Sequence, residues 1–194
     1  LFQTWKDEKM KIATIGRGKI GGGLASLWEK AGHEVTRIGR EGGDASDAEV
    51  VLIAVPGDAV EQALAAVTGL AGKTAIDATN LYGGTTPPQG HASNAEYVKS
   101  VTGGPTAKAW NVNFGALYDQ VGEASTPPGD FWCGDEEARA TVEALHRDAG
   151  FEPIHVGPLA NAAKQEAILD FVFAIAKEGG MGPFFYKFAP PTQF

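Results

Sequence analysis

The sequence predicts an α/β chain: a doubly wound, Rossmann-type parallel sheet, shortened after strand two, with a small C-terminal helical extension. Three observations carry that prediction. A short apolar run, Lys11-Ile12-Ala13-Thr14-Ile15, leads straight into Gly16-Arg17-Gly18-Lys19-Ile20-Gly21, and an apolar helical pattern follows. Strand-like and helix-like segments then alternate along the chain, as in parallel strands joined by crossover helices. The run from Glu49 to Val55 is continuously apolar, as expected of a strand buried on both faces.

The elements follow in order. After the strand Lys11 to Ile15, a helix from Ile20 to Ala31 carries Leu24, Leu27 and Trp28 on its apolar stripe and ends at Gly32. His33 to Ile38 is the second strand. Only about ten residues then precede the strand at Glu49, whereas a crossover between parallel strands takes roughly a dozen or more. Gly42, Gly43 and Asp44 also disfavour a helix. The usual second crossover helix and third strand are therefore expected to be missing, with strand two as the sheet's edge and the adenine side of the site open.

Pro56-Gly57-Asp58 turns the chain into a helix from Ala59 to Val67, with Asp58 expected as its N-cap. Lys73 to Asp77 is the next strand, and Leu81 to Ala92, rich in Gly, Pro and Thr, reads as loop. A short helix over Ala95 to Ser100 leads to a strand at Thr106 to Trp110. A loop from Gly122 to Asp130 precedes a strand at Phe131-Trp132-Cys133. Glu136 to Ala149 is a helix ended by Gly150, and Glu152 to Val156 a strand. Leu159 to Lys177 is the longest helical pattern, stopping at Gly179-Gly180. The expected division is an expression remnant or N-terminal arm over 1–9, a dinucleotide-binding domain over 10–158, and a C-terminal helix and tail over 159–194 that closes the acceptor side.

Composition narrows the function. The chain has 194 residues, 43% of them hydrophobic, which suits a globular protein with a real core. The formal charge of −8 argues against nucleic acid or an anionic membrane as partner. A single cysteine, Cys133, excludes an internal disulfide and a multi-cysteine metal site. With no signal peptide and no long apolar run, a cytoplasmic location is expected and no membrane contact.

The glycine motif carries the chemistry. The first glycine permits a tight turn, the second lets the backbone approach a pyrophosphate, and the third lets the helix sit close to the strand. The helix N-terminus adds free N–H groups and partial positive charge. Gly16, Arg17, Gly18, Lys19, Ile20 and Gly21 are thus candidate cofactor-binding residues.

The motifs, taken together, resemble the NADPH-dependent oxidoreductases that use the deazaflavin coenzyme F-420, and their dinucleotide-binding relatives, including the cytosolic domain of membrane metalloreductases. The landmarks are GRGKIGGGLASLWEKAGHEV, VVLIAVPGDAV, DATN, SNAEYV, AKAWN, CGDEEARATVEAL, and VGPLANAAKQEAI with a terminal GGMGPFFYKF. They stand in family order and cover Lys11 to Phe188. The resemblance implies direct hydride transfer between the nicotinamide of NADP and a deazaflavin or flavin-like acceptor. The protein holds the two rings together and the cofactors supply the electronics. No side chain is assigned as catalytic acid or base, and no metal is expected. A homodimer is implied by resemblance alone. The chain departs from the family in having Ile38-Gly39-Arg40 where Gly-Ser-Arg is usual, and Asn111 where some archaeal members carry His.

Individual residues are then candidates with stated alternatives. Arg40, with Arg37 and Gly39, is placed to read the NADP 2′-phosphate through the guanidinium fork, against two solvated arginines on an edge strand. An NAD enzyme would place an acid near the end of this strand; Glu41 is the nearest. Ala54, Val55 and Pro56 end a buried strand where ligands of such sheets lie. Thr79 and Asn80 end the next strand, as candidate nicotinamide ligands or turn residues. Trp110, Asn111 and Asn113 are candidate substrate-binding residues, against Trp110 as core. His33, His146 and His155 read as structural, and Cys133 as core. Two other functions fit the same motifs: an NADPH-dependent metal or quinone reductase module, and a non-catalytic NADP-binding redox sensor.

Overall fold

The computed structural model describes residues 9–188 and 190–191; the arm expected over 1–9 therefore lies outside the described residues except for Lys9. The chain begins with β1 (Lys11–Ile15), which has β2 (Glu34–Ile38) on one side and β4 (Val50–Ile53) on the other, both parallel to it. Next in the sheet come β6 (Thr74–Asp77), β7 (Thr106–Ala109), β8 (Gly129–Gly134) and β9 (Glu152–His155). The seven-stranded order is β2-β1-β4-β6-β7-β8-β9, so β2 is an edge, as the short connection after it requires.

No crossover helix stands between β2 and β4. The chain instead forms β3 (Gly43–Asp44), which pairs with β5 (Val67–Thr68) in a separate two-stranded ladder. Gly42, at φ +76°, makes this possible, because a side chain there would overlap the Ala66 carbonyl. The Asp44 carboxylate accepts from Ser46 Oγ and from Thr68 Oγ1 at 2.9 Å in the latter case. These bonds fasten the abbreviated segment to the end of α2 (Val60–Ala65).

Two expectations are corrected. Asp58 is not an N-cap: a 3-10 turn over Gly57–Ala59 places Asp58 inside the turn, and Ala59 caps α2 without a side-chain hydrogen bond. The sheet is not wholly parallel, because β8 runs antiparallel to β7. The connection between them contains a 3-10 segment, Gly115–Glu123, that lies against α1 (Lys19–Ala31). It stays at the carboxyl end of β7 instead of crossing a face of the sheet, so β8 starts where β7 finishes. The expected Gly122–Asp130 loop is correspondingly shorter. After β8, α4 (Arg139–Asp148) crosses over, and β9 returns parallel to β8.

The remaining helices follow their local signals. Gly32, at φ +103°, ends α1 in a left-handed cap. Ser93 caps α3 (Asn94–Thr102) by accepting from Glu96 N. The C-terminal pattern is a 3-10 turn, α5 (Ala162–Phe173), then a π turn over Ala174–Glu178.

Alternation along the strands builds two cores. Ile12, Val50, Leu52 and Ile76 face α1 and α4 with Leu24, Trp28, Trp110, Leu145 and Phe151. Ala13, Ile15, Val51 and Ile53 face the other way, onto Val60, Leu64 and Val98. Trp28 is fully buried, donates from Nε1 to Leu145 O at 3.0 Å, and meets Trp110 edge-on at 5.4 Å. Trp28→Ala is expected to cost about 3–5 kcal/mol, read by urea denaturation; a loss under about 1 kcal/mol would contradict this packing. Burial pushes the Cys133 thiol up to about 11. Native protein at pH 8 should therefore react with Ellman's reagent only after unfolding, and prompt labelling would show the thiol to be accessible.

Candidate functional site

The glycine motif forms a turn between β1 and α1 whose backbone closes onto the end of β4. Gly16 sits at φ +108°, and a side chain there would run into the Ala54 carbonyl. Gly21 lies so close to Gly16 O that it too has no room for a Cβ. Gly18 differs: a Cβ there would meet nothing within 4 Å. The first and third glycines thus answer to internal crowding, while the second borders open space ahead of the helix N-terminus.

That open space is part of a cleft of about 470 Å³ across the carboxyl ends of β1, β4 and β6. Gly18, Lys19 and Ile20 form one wall; Ala54, Val55, Pro56, Gly57 and Asp58 form a second; Ala78, Asn80, Tyr82 and Thr85 form the third. The structure therefore brings together the glycine turn, the Ala54–Pro56 segment and Asn80, as the sequence expects.

Beneath Asn80 lies a ladder of amides. Asn80 Nδ2 donates to Asn111 O at 2.7 Å, and Asn111 Nδ2 donates back to Asn80 Oδ1 at 2.9 Å. Gln165 Nε2 donates to Asn111 Oδ1 at 2.7 Å and to Phe131 O at 3.0 Å. Thr79 is buried, accepts from Asn94 Nδ2 at 2.9 Å, and does not line the cleft.

Three charges lie deeper. Lys108 and Asp77 occupy opposed positions on β7 and β6, both wholly buried. Lys108 Nζ donates to Asp77 Oδ2 at 2.8 Å and to Thr79 O at 2.9 Å. Glu166 Oε1 lies 2.6 Å from the same ammonium, an ion contact without hydrogen-bond direction. Burial alone pulls the ammonium down, but Asp77 and Glu166 outweigh it and hold Lys108 above the ordinary lysine range. The motif reading missed this trio. Its signal was a lysine inside the apolar strand Thr106–Ala109 and an aspartate ending the neighbouring one.

The basic residues at the end of β2 are placed differently from one another. Arg37 is held on α1 by Glu29, with Nη2 at 2.8 Å from Oε2, and by Ser26 Oγ at 3.2 Å. Arg17 reaches over Gly39 to Glu41 at 2.8 Å, and a side chain on Gly39 would overlap that guanidinium. The pair is 52% and 61% exposed, so it is worth at most about 1 kcal/mol and yields readily. Arg40 is exposed and has no hydrogen bond or ion pair among the described residues.

Trp110 and Asn113 are not at the cleft. Trp110 is wholly buried, stacks on His146 at 4.1 Å and takes φ +55°. Its N–H donates to Asp130 Oδ2 at 3.0 Å, which also lies 2.8 Å from His146 Nε2. Asn113 is buried and bonds Asp130 and Gly129 O. Both order the β7–β8 connection.

No protein-family model matches the chain. The metalloreductase STEAP3 of Rattus norvegicus is 35% identical over 130 residues, covering 63% of this chain and 25% of that protein. The chain thus spans about a quarter of the length of this curated relative. A crystal structure described as an F-420-dependent NADP reductase from Arthrobacter sp. FB24 matches with a TM-score of 0.79 at 25% identity, covering 93% of this chain and 100% of that one. A reductive aminase from Aspergillus terreus, in complex with NADPH and ethyl levulinate, matches with a TM-score of 0.63, covering 87% of this chain and 62% of that one; at 19% identity this shows the fold alone. By sequence and by fold, the chain resembles the NADP oxidoreductases, as its motifs imply.

Proposed function

We propose that the chain is an NADP(H)-dependent oxidoreductase that passes a hydride between the nicotinamide and a deazaflavin or flavin-like acceptor. The observation that carries this reading is the cleft at the carboxyl ends of β1, β4 and β6, opened by Gly18 at the helix N-terminus. Bound NADP(H) would supply the hydride chemistry itself.

The chain's own residues bind and orient. The turn from Gly16 to Gly21 seats the pyrophosphate on the α1 N-terminus, with exposed Lys19 beside it. Arg40 reads the 2′-phosphate, joined by Arg17 when it leaves Glu41. Arg37 serves β2 and α1 instead, since Glu29 already engages its fork. Ala54, Val55 and Pro56 lie against the ribose side, and Asn80 shapes the nicotinamide end. Because Asn80 spends both amide atoms on Asn111, Asn111 acts by fixing Asn80. The described part of the segment 159–194 is assigned to the acceptor side of the domain over 10–158. Exposed Phe171, Met181 and Phe188 on it support a homodimer. The reading places the reaction in the cytoplasm; no helix among the described residues is long and apolar enough to cross a membrane.

A second reading is favoured by the 35% identity to a metalloreductase. There the chain is an NADPH-oxidising module whose electrons continue to a flavin, metal or quinone. Steady-state NADPH oxidation with deazaflavin, flavin mononucleotide and ferric acceptors separates the two. Turnover with deazaflavin or flavin mononucleotide and none with ferric acceptors supports the first, and reduction of ferric acceptors, alone or through added flavin, supports the second.

Two substitutions test the seating. Arg40→Ala should weaken NADPH about tenfold or more and leave NADH within about twofold, since it removes charge-assisted bonds to the 2′-phosphate alone. Equal losses would remove Arg40 from that role. A Cβ at Gly18 meets no atom within 4 Å in the free protein, so Gly18→Ala should keep its stability within about 1 kcal/mol of wild type. Its affinity for both cofactors should fall about tenfold or more. Retained binding would show that the phosphates do not pass Gly18.

A further inference from the structure

The Lys108, Asp77 and Glu166 charges have no part in seating phosphates, and they sit in a place where charge is felt strongly. One ammonium faces two carboxylates, which leaves one negative charge in excess. Lys108 is already committed, through two directed bonds, to Asp77 and Thr79 O. Glu166, 13% exposed, lies 2.6 Å from the ammonium and Asp77 2.8 Å, so the excess charge belongs to the trio as a whole, and Glu166 is its partly exposed member.

The trio is wired to the cleft. Thr79, whose carbonyl takes the Lys108 bond, precedes cleft-lining Asn80. Gln165, adjacent to Glu166 on α5, holds Asn111, which holds Asn80. Tyr82, on the same wall as Asn80 and about half exposed, is raised above the ordinary phenol range first by partial desolvation, against a hydrogen bond with Asn80, while Glu166 raises it and Lys108 lowers it. Lys19 and Asp58 also border the cleft but are exposed, so water screens them far more than it screens the trio.

We propose that Glu166 is a positioning and tuning residue whose partly buried negative charge favours the oxidised, cationic nicotinamide over the reduced, neutral one. This rests on the NADP reading above. The two cofactor forms share phosphates, ribose and adenine, and differ by one positive charge on the ring. A fixed negative charge beneath the nicotinamide end therefore acts on their difference in affinity. By linkage, that difference is also a shift in the redox equilibrium of the bound pair. Its sign favours hydride donation by bound NADPH.

The test is direct binding of NADP+ and NADPH, each titrated into wild type and Glu166→Gln. The variant keeps the shape of the side chain and removes its charge. NADP+ should weaken about fivefold or more, with NADPH changed less than about twofold. Glu166→Asp, which restores a carboxylate, should return the ratio toward wild type. Glu166→Met removes the same charge and gives the same reading if the Gln chain is unstable. A ratio unchanged by loss of the charge, or both affinities falling together, overturns the proposal, the latter by showing a purely structural role. Glu136→Gln, a charge lost from an exposed carboxylate paired with Arg139 just before α4, should leave the ratio unaltered; an equal shift there would also overturn it. If wild type binds neither form, the NADP reading itself has failed, which is a different result.

Discussion

Gly16 and Gly21 set the distances on which the rest of the site depends. The chain leaves β1, turns at a positive φ that favours glycine, and starts α1 with its backbone against Ala54 at the end of β4. Neither position has room for a side chain. The close approach joins the first strand, its helix and the next strand of the sheet into one unit, and it aims the free N–H groups of α1 into the cleft. At Gly18, by contrast, nothing among the described residues occupies the space a Cβ would take.

The acidic balance of the chain, −8, is compatible with an anionic ligand because the charges are distributed unevenly. Lys19, Arg17 and Arg40 cluster around the turn and the end of β2, and among the described residues only Glu41 pairs with one of them, Arg17. The shortened connection after β2 leaves that edge uncovered, so the arginines stand in water and remain adaptable. Behind the wall that carries Asn80, outside the cleft lining, Asp77 and the partly buried Glu166 leave one negative charge in excess over Lys108.

Much of this was legible in the sequence. The glycine spacing, the continuous apolar run over Glu49 to Val55 and the ten-residue connection were enough to place the cleft, the buried strand and the edge. The direction of β8 was not legible, because its apolar pattern is the same whichever way it runs. Only the path of the connection, lying against α1, decides it. Trp110 was ambiguous for a related reason: an indole after a strand suits a cofactor wall or a core, and the positive φ that turns it inward leaves no local sign. Lys108 gains its meaning from Asp77 and Glu166, which are remote in sequence and meet only when β6, β7 and α5 assemble.

The central claim is that this fold seats NADP(H) in a cleft with a phosphate-reading arginine at its edge. Calorimetric titration of the wild-type protein with NADPH and with NADH tests it most directly. The account predicts saturable one-to-one binding of NADPH, with NADH at least about tenfold weaker. Absence of binding by either, or equal affinity for both, would contradict it.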